Sequence, residues 1–215
     1  IGATAWSNAF ENTDNPFRYI KGYEVTLIFD FLKENLFSSL AQGDSLKVVD
    51  LGSGDGLTGM DLITRLHNLS PTTPISYLPV DASPYLLAGV NALFKQRFNG
   101  RLQSLTIDPI TDFLNTALAM HHLRSKLQES PTSNVHTLVL FFGQTFGNFP
   151  SGTRREFLHR LSEIAPSGSI FALAVDTYDP NNIEKLIIRY RSPQKVRVAL
   201  GPLLSMGLDS RDFRY

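Results

Sequence analysis

Residues 48–56, Val48-Val49-Asp50-Leu51-Gly52-Ser53-Gly54-Asp55-Gly56, decide how this chain is read. An apolar run rises to an acid and then breaks into glycines at three alternate positions. Apolar residues recur at helical spacing from about Leu57 to Leu69. The pattern is that of a strand, a tight turn and a helix. Glycine lets the backbone take angles that a Cβ forbids and lets it approach a ligand closely. The helix that follows presents unsatisfied N–H groups and a partial positive charge to the turn. Such a turn binds a nucleotide-like cofactor. Asp50, two residues before the first glycine, favours S-adenosylmethionine over a dinucleotide. Its carboxylate suits the ammonium of the methionine part and would repel a pyrophosphate.

Outward from this turn, strands alternate with helices. Strands are expected over Leu46–Leu51, Ile75–Val80, Leu102–Ile107, Thr137–Phe142 and Ser169–Val175. Helices are expected over 57–69, from Pro84 (with Ser83 as cap) to about Phe98, over Thr111–Leu127, over Thr153–Ile164, and from Pro180 to about Tyr190. Ahead of the sheet, Val25, Ile28, Phe29, Leu32 and Leu36 mark an amphipathic helix between Tyr23 and Leu40, after a polar, irregular stretch over 1–16. The alternation implies an α/β fold, a mostly parallel sheet with helices on both faces. Three segments are expected. Residues 1–45 form a helical segment covering the site, 46–192 the cofactor-binding core, and 193–215 the start of a substrate lobe or C-terminal extension.

Ligands of such sheets bind at the carboxyl ends of the strands. That rim collects the segment from Gly52 to Gly56, Asp81, Asp108, the segment from Gly143 to Asn148, and Asp176. Asp81 stands at the distance from the turn where an acid bridges ribose hydroxyls, with a turn or helix-cap role as the alternative. Asp108 is a candidate for the adenine amino group, with Asp112 as a rival and an Asp-Pro turn as the plain alternative. In Phe142-Gly143-Gln144-Thr145-Phe146-Gly147-Asn148-Phe149-Pro150, glycines, amides and aromatics follow a strand end, as at a binding site.

Other chemistries have less behind them. Gly54-Asp55-Gly56-Leu57-Thr58-Gly59 matches the G-x-G-x-x-G pattern, which keeps an NAD(P) oxidoreductase as an alternative. The glycine that follows the strand directly is Gly52, however, and in that register the third glycine falls on Leu57. His121 and His122 are adjacent and point about a hundred degrees apart on a helix, so no metal site is expected. The 215 residues suit one domain with a substantial core. Twenty basic and twenty acidic residues balance, which disfavours a nucleic-acid partner. No cysteine is present, so neither disulfides nor a thiolate nucleophile enter, and a cytoplasmic location is expected. No apolar stretch is long enough to span a membrane. The sequence starts Ile1-Gly2-Ala3, without an initiator Met, so a trimmed chain or a piece of a longer protein is expected.

Four segments resemble the histidine-specific SAM-dependent methyltransferase family. Tyr19-Ile20-Lys21-Gly22-Tyr23-Glu24 is similar to the start of its first helix, and Asp50-Leu51-Gly52-Ser53-Gly54 to its glycine motif. The stretch from Phe142 to Phe149 is similar to its G-[ST]-[ST]-[IL]-G-N-[LF] loop. Ala174-Val175-Asp176, then Asp179-Pro180 to Tyr190, is similar to the strand and helix beyond. The resemblance implies a Rossmann-like methyltransferase fold and a SAM-dependent N-methyltransferase acting on a small amino acid or related amine, histidine-like or indole-like. It implies that Tyr19, Asn148 and Tyr190 line the amino-acid pocket, with Gly143 beside the reacting amine. Asn148 and Tyr190 are accordingly the catalytic candidates. Asp50, Gly52, Ser53, Gly54, Asp81, Asp108, Phe142 and Gly143 are the cofactor candidates. Gln144 stands where the family has a small hydroxyl residue, and Leu57-Thr58-Gly59 where it often has a basic one. A non-catalytic domain that binds SAM or a partner protein is the alternative of a different class.

Overall fold

The structure is a computed structural model. It describes residues 16–81, 83–98, 105–107, 110–111, 121, 123–127, 134–142, 146, 151–175 and 183–191. The chain divides into two compact units, one of residues 1–22 with 177–215 and one of 23–176.

The second unit is built on a six-stranded sheet. Its strands are β1 (Ser45–Leu51), β2 (Ile75–Asp81), β3 (Leu105–Ile107), β4 (Ile110–Thr111), β5 (Val135–Phe141) and β6 (Ile170–Leu173). The order is β3-β2-β1-β5-β6, with β4 also pairing β2. Every pairing is parallel. β1 is central, and Leu46 to Leu51 are all buried, as a parallel strand covered on both faces requires. Val48 pairs with Tyr77 of β2 and Leu138 of β5.

The helices are α1 (Pro16–Leu32), α2 (Leu57–Leu69), α3 (Pro84–Phe98), α4 (Ser151–Ile164) and α5 (Ile183–Tyr190). Val25 and Leu32 of α1, Met60, Ile63 and Leu66 of α2, and Val90, Phe94 and Phe98 of α3 bury their apolar stripes in one cluster. The same cluster takes Leu46, Val48, Tyr77, Leu138 and Leu140 from the strands. On the other face, Phe157, Leu161 and Ile164 of α4 join Leu123 and Leu127 against Val49, Leu51, Leu78, Val80, Val139 and Phe141. Helices thus cover both faces of a parallel sheet, as expected for the Rossmann-like arrangement.

β5 starts two residues before the expected Thr137 and ends at Phe141, β6 is shorter than the expected Ser169–Val175, and α4 starts at Ser151 and not Thr153. Two further elements depart in kind or extent. α1 begins at Pro16, seven residues before Tyr23, because proline suits the first helical turn, where its missing N–H costs nothing. It then runs into a π-helical turn, Lys33–Phe37, that buries Leu36. Thr111, expected to open a helix, is a strand residue. Ile110 and Thr111 pair with Val80 and Asp81, extending the ladder at the carboxyl end of β2. Both are β-branched, and the backbone hydrogen bonds that the sheet edge provides outweigh a weak helix start. Residues 123–127 are helical as expected, whereas 112–120 lie outside the described residues.

The unit of 1–22 and 177–215 holds the first residues of α1 and the whole of α5. On α5, Ile187 and Ile188 are exposed.

Candidate cofactor site

Parallel strands bring their carboxyl ends to one rim. At that rim β1 runs into the glycine turn. Gly52, Gly54 and Gly56 have φ of 70°, 57° and 72°, a region that side chains strongly disfavour. The glycine pattern is therefore a conformational requirement of this turn. Gly52 and Ser53 both donate to the Val80 carbonyl, at 2.8 and 3.1 Å, and Gly56 donates to Ser53 at 2.9 Å. A Cβ at Gly56 would lie 2.8 Å from the Val90 methyls, so α3 also packs closely on the turn. Asp55 Oδ1 accepts from the Leu57 amide at 3.1 Å and caps the start of α2.

Asp81 straps the turn to β2. Its Oδ2 accepts from the Gly54 amide at 2.9 Å and its Oδ1 from the Ser83 amide at 2.9 Å. The turn role is therefore realised, and the carboxylate lies directly against the glycine turn. The Ser83 hydroxyl accepts from the Leu86 amide at 3.3 Å, the expected cap of α3.

Asp50 is 2% exposed, and its Oδ2 accepts from the Tyr77 hydroxyl at 2.7 Å. Burial, and then the charge of Asp50, push the Tyr77 phenol well above its ordinary range. The phenol therefore stays protonated and donates. A Cβ at Gly59 would run into both the Asp50 carboxylate and the Tyr77 hydroxyl. The third glycine of the G-x-G-x-x-G match thus serves close packing of α2 on the sheet, which makes no choice between cofactors. Motif spacing singles out neither Tyr77 nor the task of Gly59. A tyrosine at the centre of an otherwise apolar buried strand is the signal the sequence offers, since a buried hydroxyl needs a partner.

The residues present fit a nucleoside cofactor. Ser53, within the turn, is 7% exposed, and its buried hydroxyl has no hydrogen-bond partner among the described residues. Such a group calls for a ligand or water. Bare glycine backbone flanks it on both sides. Phe142, just past β5, is buried and belongs to the same apolar cluster as Tyr77 and Met60. Phe146 packs edge-on to Phe141 with centroids 5.6 Å apart.

The structure thus brings together Asp50, Gly52, Ser53, Gly54 and Asp81, with Phe142 following the adjacent strand. Asp108, Gly143 and Asn148 lie outside the described residues, as do Asp112, Gln144, Thr145, Phe149 and Asp176. Tyr19 and Tyr190 are helical and belong to the other unit, and their side chains are not among those described. Among the described residues no group of acids and histidines has the grouping of a metal site. Nor is any described helix long and apolar enough to cross a membrane.

Residues 9–199 match the family described as histidine-specific methyltransferase, SAM-dependent. The chain belongs to that family. It is thus a member of an S-adenosylmethionine-dependent methyltransferase family, and the cofactor that this family uses is S-adenosylmethionine. No curated protein matches the sequence. Solved structures to which the chain is similar include the following three. The DszA carbon methyltransferase is 12% identical with a TM-score of 0.47, over 72% of this chain and 34% of its own. The CMeT domain of the citrinin polyketide synthase is 18% identical with a TM-score of 0.43, over 68% and 33%. A putative S-adenosyl-L-methionine-dependent methyltransferase from Methanococcus maripaludis is 12% identical with a TM-score of 0.41, over 91% and 83%. The chain spans about a third of the length of the first two.

Proposed function

We propose that this family member is an N-methyltransferase for the amino group of a small amino acid or related amine, histidine-like or indole-like. The observation that carries the cofactor half of the reading is the buried, unpartnered Ser53 hydroxyl inside a turn of three positive-φ glycines. In this reading Gly52, Ser53 and Gly54 hold the cofactor by backbone and hydroxyl, Asp50 faces its ammonium, Asp81 its ribose and Asp108 its adenine. The substrate half rests on the likeness of the segment from Phe142 to Phe149 to the family loop.

Bound S-adenosylmethionine supplies an electrophilic methyl for in-line displacement. The accepting amine must be neutral and aligned, so positioning and exclusion of water supply most of the acceleration. The family likeness assigns Asn148 and Tyr190 the task of orienting the amine and carboxylate of the substrate, and gives Tyr19 and Gly143 a part in binding it. Phe146 and Phe149 exclude water and face the positive charge that grows on the amine.

Thermal unfolding with S-adenosylhomocysteine, NAD and NADP, each with and without histidine, tests the reading. Selective binding to the native state raises the midpoint. S-adenosylhomocysteine alone should raise it, and histidine should add a further rise. A rise with NAD or NADP only would overturn the reading. Asn148→Ala should lower turnover at least about tenfold while cofactor binding is kept. Full turnover in that variant would remove Asn148 from the mechanism. Cofactor binding with no turnover on any amino acid or indole amine would favour the non-catalytic alternative.

A further inference from the structure

We infer that Tyr77 is a positioning residue for the amino-acid end of the cofactor, acting through the Asp50 carboxylate. The inference rests on the S-adenosylmethionine reading above and assigns a new residue to it.

Register explains how the pair meets. Tyr77 sits opposite Val48, and Asp50 lies two residues further toward the rim. Side chains two apart share a face of the sheet. Two strand residues rise about 6.6 Å, comparable with the reach of a tyrosine from Cα to hydroxyl. The phenol therefore arrives at the carboxylate, 2.7 Å from Oδ2. Tyr77 is fully buried and Asp50 nearly so. The first turn of α2 closes over both, and Gly59 leaves the space for them.

Packing alone would be served by phenylalanine at position 77. The hydroxyl adds one directed donor to one carboxylate oxygen. A neutral donor fixes the rotation of the carboxylate and leaves its negative charge in place, whereas a lysine or arginine there would neutralise it. Asp50 is the last residue but one of β1, immediately before the glycine turn. Its carboxylate is thus held under the turn, on the side of the sheet where α2 begins. Tyr77 thereby sets the affinity for the ammonium-bearing end of the ligand and leaves the adenosine end untouched.

Two probes separate those ends. S-adenosylhomocysteine carries the ammonium and carboxylate, and 5′-methylthioadenosine lacks both. Calorimetric titration of the whole chain with each is the experiment. In Tyr77→Phe, affinity for S-adenosylhomocysteine should fall about tenfold while 5′-methylthioadenosine stays within about twofold. Asp50→Asn should show the same selective loss, and the double variant should lose no more, since the two residues act as one unit. Equal weakening of both ligands, or no weakening of either, would overturn the inference and leave the hydroxyl a purely structural role. Should Tyr77→Phe not fold, Tyr77→Met, which also removes the hydroxyl and adapts to an apolar site, carries the same comparison: selective loss supports the inference, and equal or absent loss overturns it. Wild-type protein that binds neither ligand would sink the cofactor reading itself and this inference with it, before any variant is compared.

Discussion

Asp44 and Asp50 bracket one strand and are used in opposite ways. Both are buried, at 6% and 2% exposed. Asp44 stands just before β1, at the amino end of the sheet, and closes a local turn. Its Oδ2 accepts from the Ala41 amide at 2.8 Å and lies 3.2 Å from Nε2 of His136, a residue of β5. The Ala41 amide, and then His136 and Asn134, hold the Asp44 carboxyl below its ordinary range against the opposing pull of burial. Asp50, at the carboxyl end, instead faces the neutral, fully buried Tyr77 beneath the glycine turn. An acid bonded by its own turn and a histidine stabilises the fold. The Asp50 carboxylate accepts from a neutral phenol at the end of β1 that meets the glycine turn. The two ends of one strand thus hold their buried acids with different kinds of partner.

The largest expected effect breaks the carboxyl-end arrangement. Gly59→Ala places a methyl against both Asp50 and Tyr77, and overpacking of this kind costs about 1–3 kcal/mol. The thermal midpoint should fall by several degrees. At Gly89 of α3 an added methyl would meet nothing within 4 Å, so Gly89→Ala should gain up to about 1 kcal/mol from helix propensity. Two midpoints moving in the same direction would show that the packing over the Asp50–Tyr77 pair is no constraint.

The acid at the amino end gives the next effect. Because Asp44 has a depressed value in the folded state, its stabilising contribution is present above the unfolded value of about 3.9. It is lost as pH falls through the folded value. Wild-type urea midpoints should therefore drop more steeply below about pH 4 than those of Asp44→Asn. Parallel curves from pH 6 to pH 3 would remove Asp44 from the acid sensitivity. The smallest effect lies away from both acids. Glu156 pairs with Arg160 one turn along α4, and both side chains are exposed. Glu156→Gln should change stability by less than about 0.5 kcal/mol in chemical denaturation. A loss as large as that of Gly59→Ala would mean that surface pairs rival the buried acids.

Much of the core was legible because its signals are local. α2 over 57–69 and α3 over 84–98 fall where periodicity, the glycine turn and Ser83-Pro84 put them. β1 and β2 extend their expected ranges by a single residue. β4 was not legible, since two residues carry no period, and only pairing with the carboxyl end of β2 makes them a strand. At the glycine turn, Asp50, Ser53, Asp81 and the glycines lie near one another, as motif spacing led one to expect. The bond from Tyr77 to Asp50 was not, because it joins residues 27 apart through the register of two strands.

By itself the sequence determined the alternation of strands and helices, the glycine turn and the family. Local sterics, hydrophobic period and motif spacing are properties of consecutive residues, and these suffice for all three. Tertiary structure alone decided what the buried polar groups do. It put Tyr77 on Asp50, Asp81 on Gly54, and α2 close enough for Gly59 to be required. Those outcomes depend on strand register and on the distance between helix and sheet, which arise only when the sheet assembles and brings distant residues into contact.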